Sequence, residues 1–183
     1  MSLCGIDEAG RGCLAGPLAV AGVVLKTPIA GLGDSKKLNA AKREALFGAI
    51  VENSFYHIVL IDAAQIDARG LSACMKRALI EIKETIAADR YLFDGHTSFG
   101  VAGLETMIKA DATVAEVGAA SILAKVSKDR RLIELAKPYP QYGFENHQGY
   151  GTAAHLQALE RYGPCPLHRQ SFKLLPAKQG TLF

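Results

Sequence analysis

The sequence predicts an α/β fold: a mixed central sheet flanked by helices, with a C-terminal appendage. Three observations carry this. Short apolar runs of strand length, several flanked by glycine, alternate with longer segments of helical spacing. The first two strand candidates follow one another with no helix between them, so the sheet cannot be wholly parallel. A chain of 183 residues, 49% hydrophobic and 21% charged, can bury a core of its own without crosslinks.

The elements follow in order. Leu3 to Ile6 and Leu18 to Leu25 are apolar and bracketed by glycines, as buried strands are, and Phe55 to Ile61 is a third strand. Residues 36–52 show helical spacing through Leu38, Ala41, Ala45 and Ala49; residues 71–86 show it more cleanly through Leu71, Met75, Ala78, Leu79, Ile82 and Ile86. Tyr91 to Phe93 and Thr106 to Ile108 are two further short strands. Ala112 to Leu135 predicts one long helix. Its centre, Ala119 to Ala124, is small or apolar at almost every position, which suits burial on most sides and close approach of neighbours. A last helix runs from about Thr152 to Arg161 and stops before Gly163-Pro164.

Composition narrows the function classes. Cys4, Cys13, Cys74 and Cys165 form no C-x-x-C pair, which argues against a zinc ribbon or redox motif and favours a reducing compartment. There is no basic segment leading into an apolar signal core, and no apolar run approaches the roughly 20 residues that span a bilayer. A cytoplasmic protein without a membrane partner is expected, with a monomer as the default. The net charge of +3 is small but uneven. Residues 1–124 carry 12 Lys and Arg against 14 Asp and Glu, a net −2, whereas residues 125–183 carry 9 against 4, a net +5. That division suits carboxylates that hold cations beside a surface that collects phosphates, and it equally suits ordinary scatter of solvated charge.

Asp7-Glu8, Asp94 and Asp111 stand at or shortly after the ends of apolar runs. Mg²⁺ is a hard ion that takes oxygen ligands while keeping waters and substrate phosphates, so carboxylates from separate elements can hold it. Two such ions about 4 Å apart can serve both the attacking water and the departing oxygen of a phosphodiester. Plainer readings stay open at this point: Asp94-Gly95 as a turn, Asp111 as the N-cap of the long helix, Asp7-Glu8 as the start of a loop. Successive strand residues point to opposite faces, so if Asp7 and Glu8 serve one site the strand must end or twist between Ile6 and Gly10. The turn Gly10-Arg11-Gly12 is no dinucleotide fingerprint. The next glycine is Gly16, and no acid is placed for a ribose after the second strand. Backbone brought close to a ligand explains it better, with a simple tight turn as the alternative.

Taken together, several blocks resemble the ribonuclease HII family. They are Gly5-Ile6-Asp7-Glu8-Ala9-Gly10-Arg11-Gly12, Ala15-Gly16-Pro17-Leu18, Asp34-Ser35-Lys36-Lys37-Leu38, Asp94-Gly95, Lys109-Ala110-Asp111, the run from Ala119 to Val126, Gly149-Tyr150-Gly151-Thr152, and His168-Arg169-Gln170-Ser171-Phe172. They run in family order over nearly the whole chain. The resemblance implies a ribonuclease H-like fold with a small helical C-terminal region, a catalytic domain over residues 1–175 and a tail over 176–183. It implies that Asp7, Glu8, Asp94 and Asp111 are the catalytic acids and bind Mg²⁺ or Mn²⁺, two ions with substrate present. The activity implied is cleavage of RNA in RNA–DNA hybrids and nicking of duplex DNA 5′ of an embedded ribonucleotide, leaving 3′-hydroxyl and 5′-phosphate ends. Gly10, Arg11 and Gly12 would meet the ribonucleotide and its 2′-hydroxyl. Tyr150 would stack on the next sugar and favour deoxyribose there. Ser35, Lys36, Lys37 and Ser121 would touch the nucleic-acid backbone, and Arg169 reads as structural.

Two positions depart from the pattern: Ala110 replaces a usual glycine, and Gln148 replaces a common lysine whose phosphate contact is thereby in doubt. The tail Gln179-Gly180-Thr181-Leu182-Phe183 has the form Q-x-x-L-F and resembles the peptide that docks on the bacterial sliding clamp, through Gln179, Leu182 and Phe183. Two other functions compete. One is a metal-free ribonuclease using His57, His96, His147, His155 or His168 as acid and base, which would leave a cyclic phosphate. The other is a module that binds hybrids without cutting them.

Overall fold

The computed structural model describes residues 1–32 and 38–174. The expectations for Ser35, Lys36 and Lys37, and for Gln179, Leu182 and Phe183 in the tail, lie outside the described residues.

Strand β1 (Leu3–Ala9) opens the fold, and β2 (Leu18–Leu25) returns antiparallel beside it. Helix α1 (Ala40–Asn53) leads to β3 (Ser54–Ile61), which pairs antiparallel with β2. Helices α2 (Ala63–Arg69) and α3 (Leu71–Thr85) precede β4 (Arg90–Asp94) and β5 (Glu105–Met107), both parallel additions beyond β1. Among the described residues the sheet order is β3-β2-β1-β4-β5. A 3₁₀ turn at Ala110–Ala112 precedes the long helix α4 (Ala115–Ala136). A second 3₁₀ turn at Pro140–Tyr142, the short helix α5 (Phe144–His147) and α6 (Ala153–Tyr162) build the C-terminal region. The mixed sheet is as expected.

Alternation along β1 and β2 sorts side chains between two cores. Cys4, Ile6, Leu18 and Val20 pack toward Met75, Leu79 and Ile82 of α3. Ala9, Ala19, Ala21 and Val23 face α4 and α1, where Ala119, Ala120, Ile122 and Leu123 are fully buried. Small residues on both sides let α4 lie very close to the sheet. The limit is Gly5, where an added Cβ would stand 2.3 Å from both Glu116 C and Val117 N, backbone that cannot move aside. The four cysteines are buried and free. Among the described residues no helix is long and apolar enough to cross a membrane.

Three expectations need correction. Helix α1 begins at Ala40, not before Leu38, because Asn39 caps it by accepting from the Lys42 N–H at 2.8 Å. The segment from Ala112 is not one helix. Val114 is extended at φ −114° and ψ 116° and is itself the N-cap, so Asp111 lies in the preceding 3₁₀ turn and does not cap α4. Strand β1 does not stop at Ile6 but runs on to Ala9, with Asp7, Glu8 and Ala9 still paired with Ala21, Val20 and Ala19.

Gly5→Ala should lower stability by about 3 kcal/mol through overpacking against the α4 backbone. A urea unfolding curve checks this, and a midpoint equal to the parent's would show that α4 tolerates a wider separation.

Candidate active site

Pairing between β1 and β4 stops at Ile6 with Phe93, whereas β1 continues and β4 ends at Asp94. Two parallel strands therefore open a crevice at their C-terminal ends, where α/β sheets place ligands. Asp7 reaches it from the face toward α4, and Glu8 lines it too because its flank toward β4 is no longer covered. The cleft holds about 330 Å³, and its lining includes Asp7, Glu8, Asp94, Arg11, Ser121 and Tyr150.

Asp7, Asp94 and Asp111 come together, each offering a carboxylate oxygen within 4.8 Å of the others. Their placement is cooperative. Asp94 accepts from the Lys109 N–H at 2.9 Å through Oδ1 and from the Asp111 N–H at 3.2 Å through Oδ2, so one carboxylate folds the turn that delivers the next. Ala110 fits this turn because its methyl is fully buried beside Leu92 and Val117. Asp7 is buried and accepts from the Ser121 hydroxyl of α4 and from the Glu8 N–H at 2.8 Å.

Glu8 lines the same cleft outside this trio. Its Oε1 pairs with Arg11 Nη1 at 3.1 Å, while its Oε2 is buried with no hydrogen-bond partner. Burial, and then the neighbouring Glu8 charge, push the Asp7 carboxyl up to about 8. Burial also raises Glu8, against the pull of Arg11. Three carboxylates this close, with the unpartnered Glu8 Oε2 in the same cleft, are a donor set that a divalent cation completes. The residues fit Mg²⁺ or Mn²⁺.

The glycine turn follows β1 directly. It closes through Cys13 N–H to Gly10 O at 3.2 Å, and Gly10 sits at φ +91° with Pro17 O only 2.8 Å from where a Cβ would stand. Gly12 lies in the cleft lining with open space beyond it. The Arg11 side chain bridges Glu8 and the Phe99 ring, 5.3 Å from its centroid. Behind the turn, fully buried Arg169 donates to Gly16 O from Nε (3.2 Å) and Nη2 (3.1 Å), and to Arg11 O from Nη1 (3.2 Å). Its planar fork ties the turn at Arg11 to Gly16 further along the same segment, which accounts for arginine here and supports its structural reading.

Tyr150 stands half exposed on the other side of the cleft, its phenol pushed up to about 12 by burial and by Cys13. Beneath it, fully buried Lys128 places Nζ 4.8 Å from the ring centroid, and Lys125 lies at 5.5 Å. Gln148 cannot stand in for a lysine at the cleft: its amide donates to Glu145 O at 2.6 Å within its own helix region. Sequence reasoning missed Lys125, Lys128 and Arg43, of which Lys125 and Arg43 line the cleft. The signal was present for two. Ser121, Lys125 and Lys128 follow i, i+4, i+7 spacing on one face of an otherwise apolar helix.

The sheet topology and the gathered acids define the class as an α/β protein with a candidate divalent-metal site. Comparison with known proteins narrows it. A family model described as Ribonuclease HII matches residues 4–175. Ribonuclease HII of Sulfurovum sp. (strain NBC37-1) is 54% identical over 181 residues, covering 99% of this chain and 96% of that protein. The ribonuclease HII of Archaeoglobus fulgidus, solved in complex with PCNA, superposes with a TM-score of 0.84 at 25% identity, covering 98% of each chain. The ribonuclease H2 of Pyrococcus horikoshii OT3 superposes with a TM-score of 0.78 at 26% identity over 95% of each. The chain belongs to the ribonuclease HII family, and with it to the metal-dependent ribonucleases.

The raised Asp7 carboxyl has a stability consequence. Between the ordinary value of 3.8 and about 8 the folded protein keeps a proton that the unfolded chain sheds, so without metal Asp7 lowers stability as pH rises through that window. In chelator, Asp7→Asn should therefore melt above the parent, by a margin that grows from about pH 4 to about pH 8. Equal melting temperatures at the upper end would show that Asp7 ionises without cost.

Proposed function

We propose that this chain is an endonuclease that cleaves the RNA strand of RNA–DNA hybrids and nicks duplex DNA on the 5′ side of an embedded ribonucleotide, leaving 3′-hydroxyl and 5′-phosphate ends. The observation that carries this reading is the trio of Asp7, Asp94 and Asp111, with oxygens within 4.8 Å of one another, at a cleft that also presents Gly10, Gly12 and Tyr150. Asp7, Glu8, Asp94 and Asp111 would hold two Mg²⁺ or Mn²⁺ ions. Bound there, the ions supply acidification of water and neutralisation of charge on the departing 3′ oxygen.

The chain's own groups do the rest. Ser121 orients Asp7, and Asp94 fixes the turn that carries Asp111. The backbone of Gly10, Arg11 and Gly12 meets the ribose whose 2′-hydroxyl distinguishes RNA from DNA. Tyr150 stacks on the following sugar and favours deoxyribose. Lys125 and Arg43 in the cleft lining, together with Ser35, Lys36 and Lys37, contact phosphates and set register without reading sequence. The tail residues Gln179, Leu182 and Phe183 dock on a sliding clamp, a reading supported by their Q-x-x-L-F pattern and by the relative solved with PCNA. A cytoplasmic monomer suits this work.

The competing readings find less support. No histidine is among the residues lining the cleft: His57 pairs with Glu81 at 3.0 Å, His147, His155 and His168 are buried together, and His96 is exposed. A module that only bound hybrids would gain nothing from clustered carboxylates, which repel phosphates.

A duplex with one ribonucleotide tests the function. With Mg²⁺ or Mn²⁺ the parent should nick it, and chelator should stop the reaction. Asp7→Asn should cut about a thousandfold more slowly or worse while unfolding cooperatively. Cyclic-phosphate ends, or cutting in chelator, would favour the histidine mechanism.

A further inference from the structure

Three histidines that the proposed chemistry does not use lie together within the C-terminal region. His147 and His155 stack with ring centroids 4.3 Å apart, and His155 Nε2 lies 3.0 Å from His168 Nε2. All three are buried. Their backbone contacts fix every tautomer. An amide N–H can only donate, so Cys165 N–H, 2.9 Å from His168 Nδ1, requires that nitrogen to be bare, although Cys165 O lies 3.3 Å away. His168 then carries its proton on Nε2 and donates to His155 Nε2. A carbonyl can only accept, so His155 Nδ1 carries a proton and donates to Tyr150 O at 2.9 Å. His147 is set independently, donating from Nε2 to Tyr142 O at 2.9 Å and accepting the Gly149 N–H at Nδ1. The directional chain runs from Cys165 through two neutral imidazoles to the Tyr150 carbonyl.

We propose that His155, oriented by His168, is a positioning residue for Tyr150 and so for the preference at the sugar following the cleaved ribonucleotide. The proposal rests on the reading of Tyr150 given above. The geometry makes the link specific. The Tyr150 carbonyl accepts only from the Thr152 N–H at 2.8 Å and from His155 among the hydrogen bonds of the described residues. Its neighbour Gly149 O accepts from Leu14 N–H at 2.8 Å and Ala15 N–H at 3.3 Å, just after the glycine turn. His155 thus holds the free side of a loop whose other side is bound to the segment facing the ribonucleotide. Among the described residues none of the hydrogen bonds of these three rings goes to a carboxylate.

The test is the ratio of cleavage rates on two duplexes, one in which deoxyribose follows the ribonucleotide and one in which ribose does. Tyr150→Ala sets the value expected when the tyrosine is lost. His155→Gln can still meet His168 but takes the donor away from Tyr150 O, and should lower the ratio about fivefold. His155→Asn places an amide N–H near the position of Nδ1 and should restore the ratio to within twofold of the parent. If Tyr150→Ala leaves the ratio unchanged, the reading of Tyr150 fails. If Tyr150→Ala collapses it while folded His155→Gln keeps the parental ratio, the positioning role alone is overturned. Should His155→Gln not fold, ¹⁵N-detected tautomers of the parent decide: Nδ1–H at His155 with Nε2–H at His168 supports the chain, and any other pair overturns it.

Discussion

Repulsion among carboxylates at the crevice between β1 and β4 is the constraint on which the remainder of the structure depends. Asp7, Asp94 and Asp111 hold oxygens within 4.8 Å of one another, and Glu8 lines the same cleft with one oxygen buried and unpaired. Left alone, such a group is stabilised by protonation, by Arg11, or by spreading apart. The fold closes the last route. Parallel pairing of β1 with β4 sets Asp7 and Asp94 side by side, Asp94 ties down the turn of Asp111, and α4 lies so near β1 that only glycine fits at position 5. Protonation and Arg11 offset the charge only in part. A divalent cation held between them would offset the remainder, and the unfavourable electrostatics of the cluster would become binding energy for the metal.

The residues behind the cleft follow from the same need for rigidity. Fully buried Arg169 and Lys128 each direct donors at backbone carbonyls, those of Gly16, Arg11 and Gln148, and so hold the glycine turn and the Tyr150 loop from beneath. A buried cation costs heavily unless its donors are satisfied, and here they are directed at carbonyls and, for Lys128, also at Asp129. Arg169 of the C-terminal region and Lys128 of α4 therefore support two walls of the cleft.

Much of this was legible in the residues, and what was not has physical reasons. The apolar runs of β1, β2 and β3 and the spacing of α3 state their structure because burial on a defined face demands it. The short helices α2 and α5, of 7 and 4 residues, are too brief to show a period, and α2 announces itself only through Asp62 and Gln65 in a capping box. The break at Val114 was hidden because the segment on either side reads as helix, and the force that bends it, Asp94 accepting from Asp111 N–H, comes from 17 residues away. The four acids stood out because they follow short apolar runs, and only the family resemblance made one shared site of them. That Glu8 shares the cleft with Asp7 while β1 stays regular could not be read, because it depends on where β4 stops pairing. The burial of Lys128 comes from tertiary packing under Tyr150, which the sequence does not display.

Crystals grown with Mn²⁺ and measured at the manganese absorption edge test the central claim most directly. An anomalous peak between the carboxylates of Asp7, Asp94 and Asp111, within ligand distance of each, is the predicted result. Ordered carboxylates in the present arrangement with no anomalous density between them, at millimolar Mn²⁺, would contradict it.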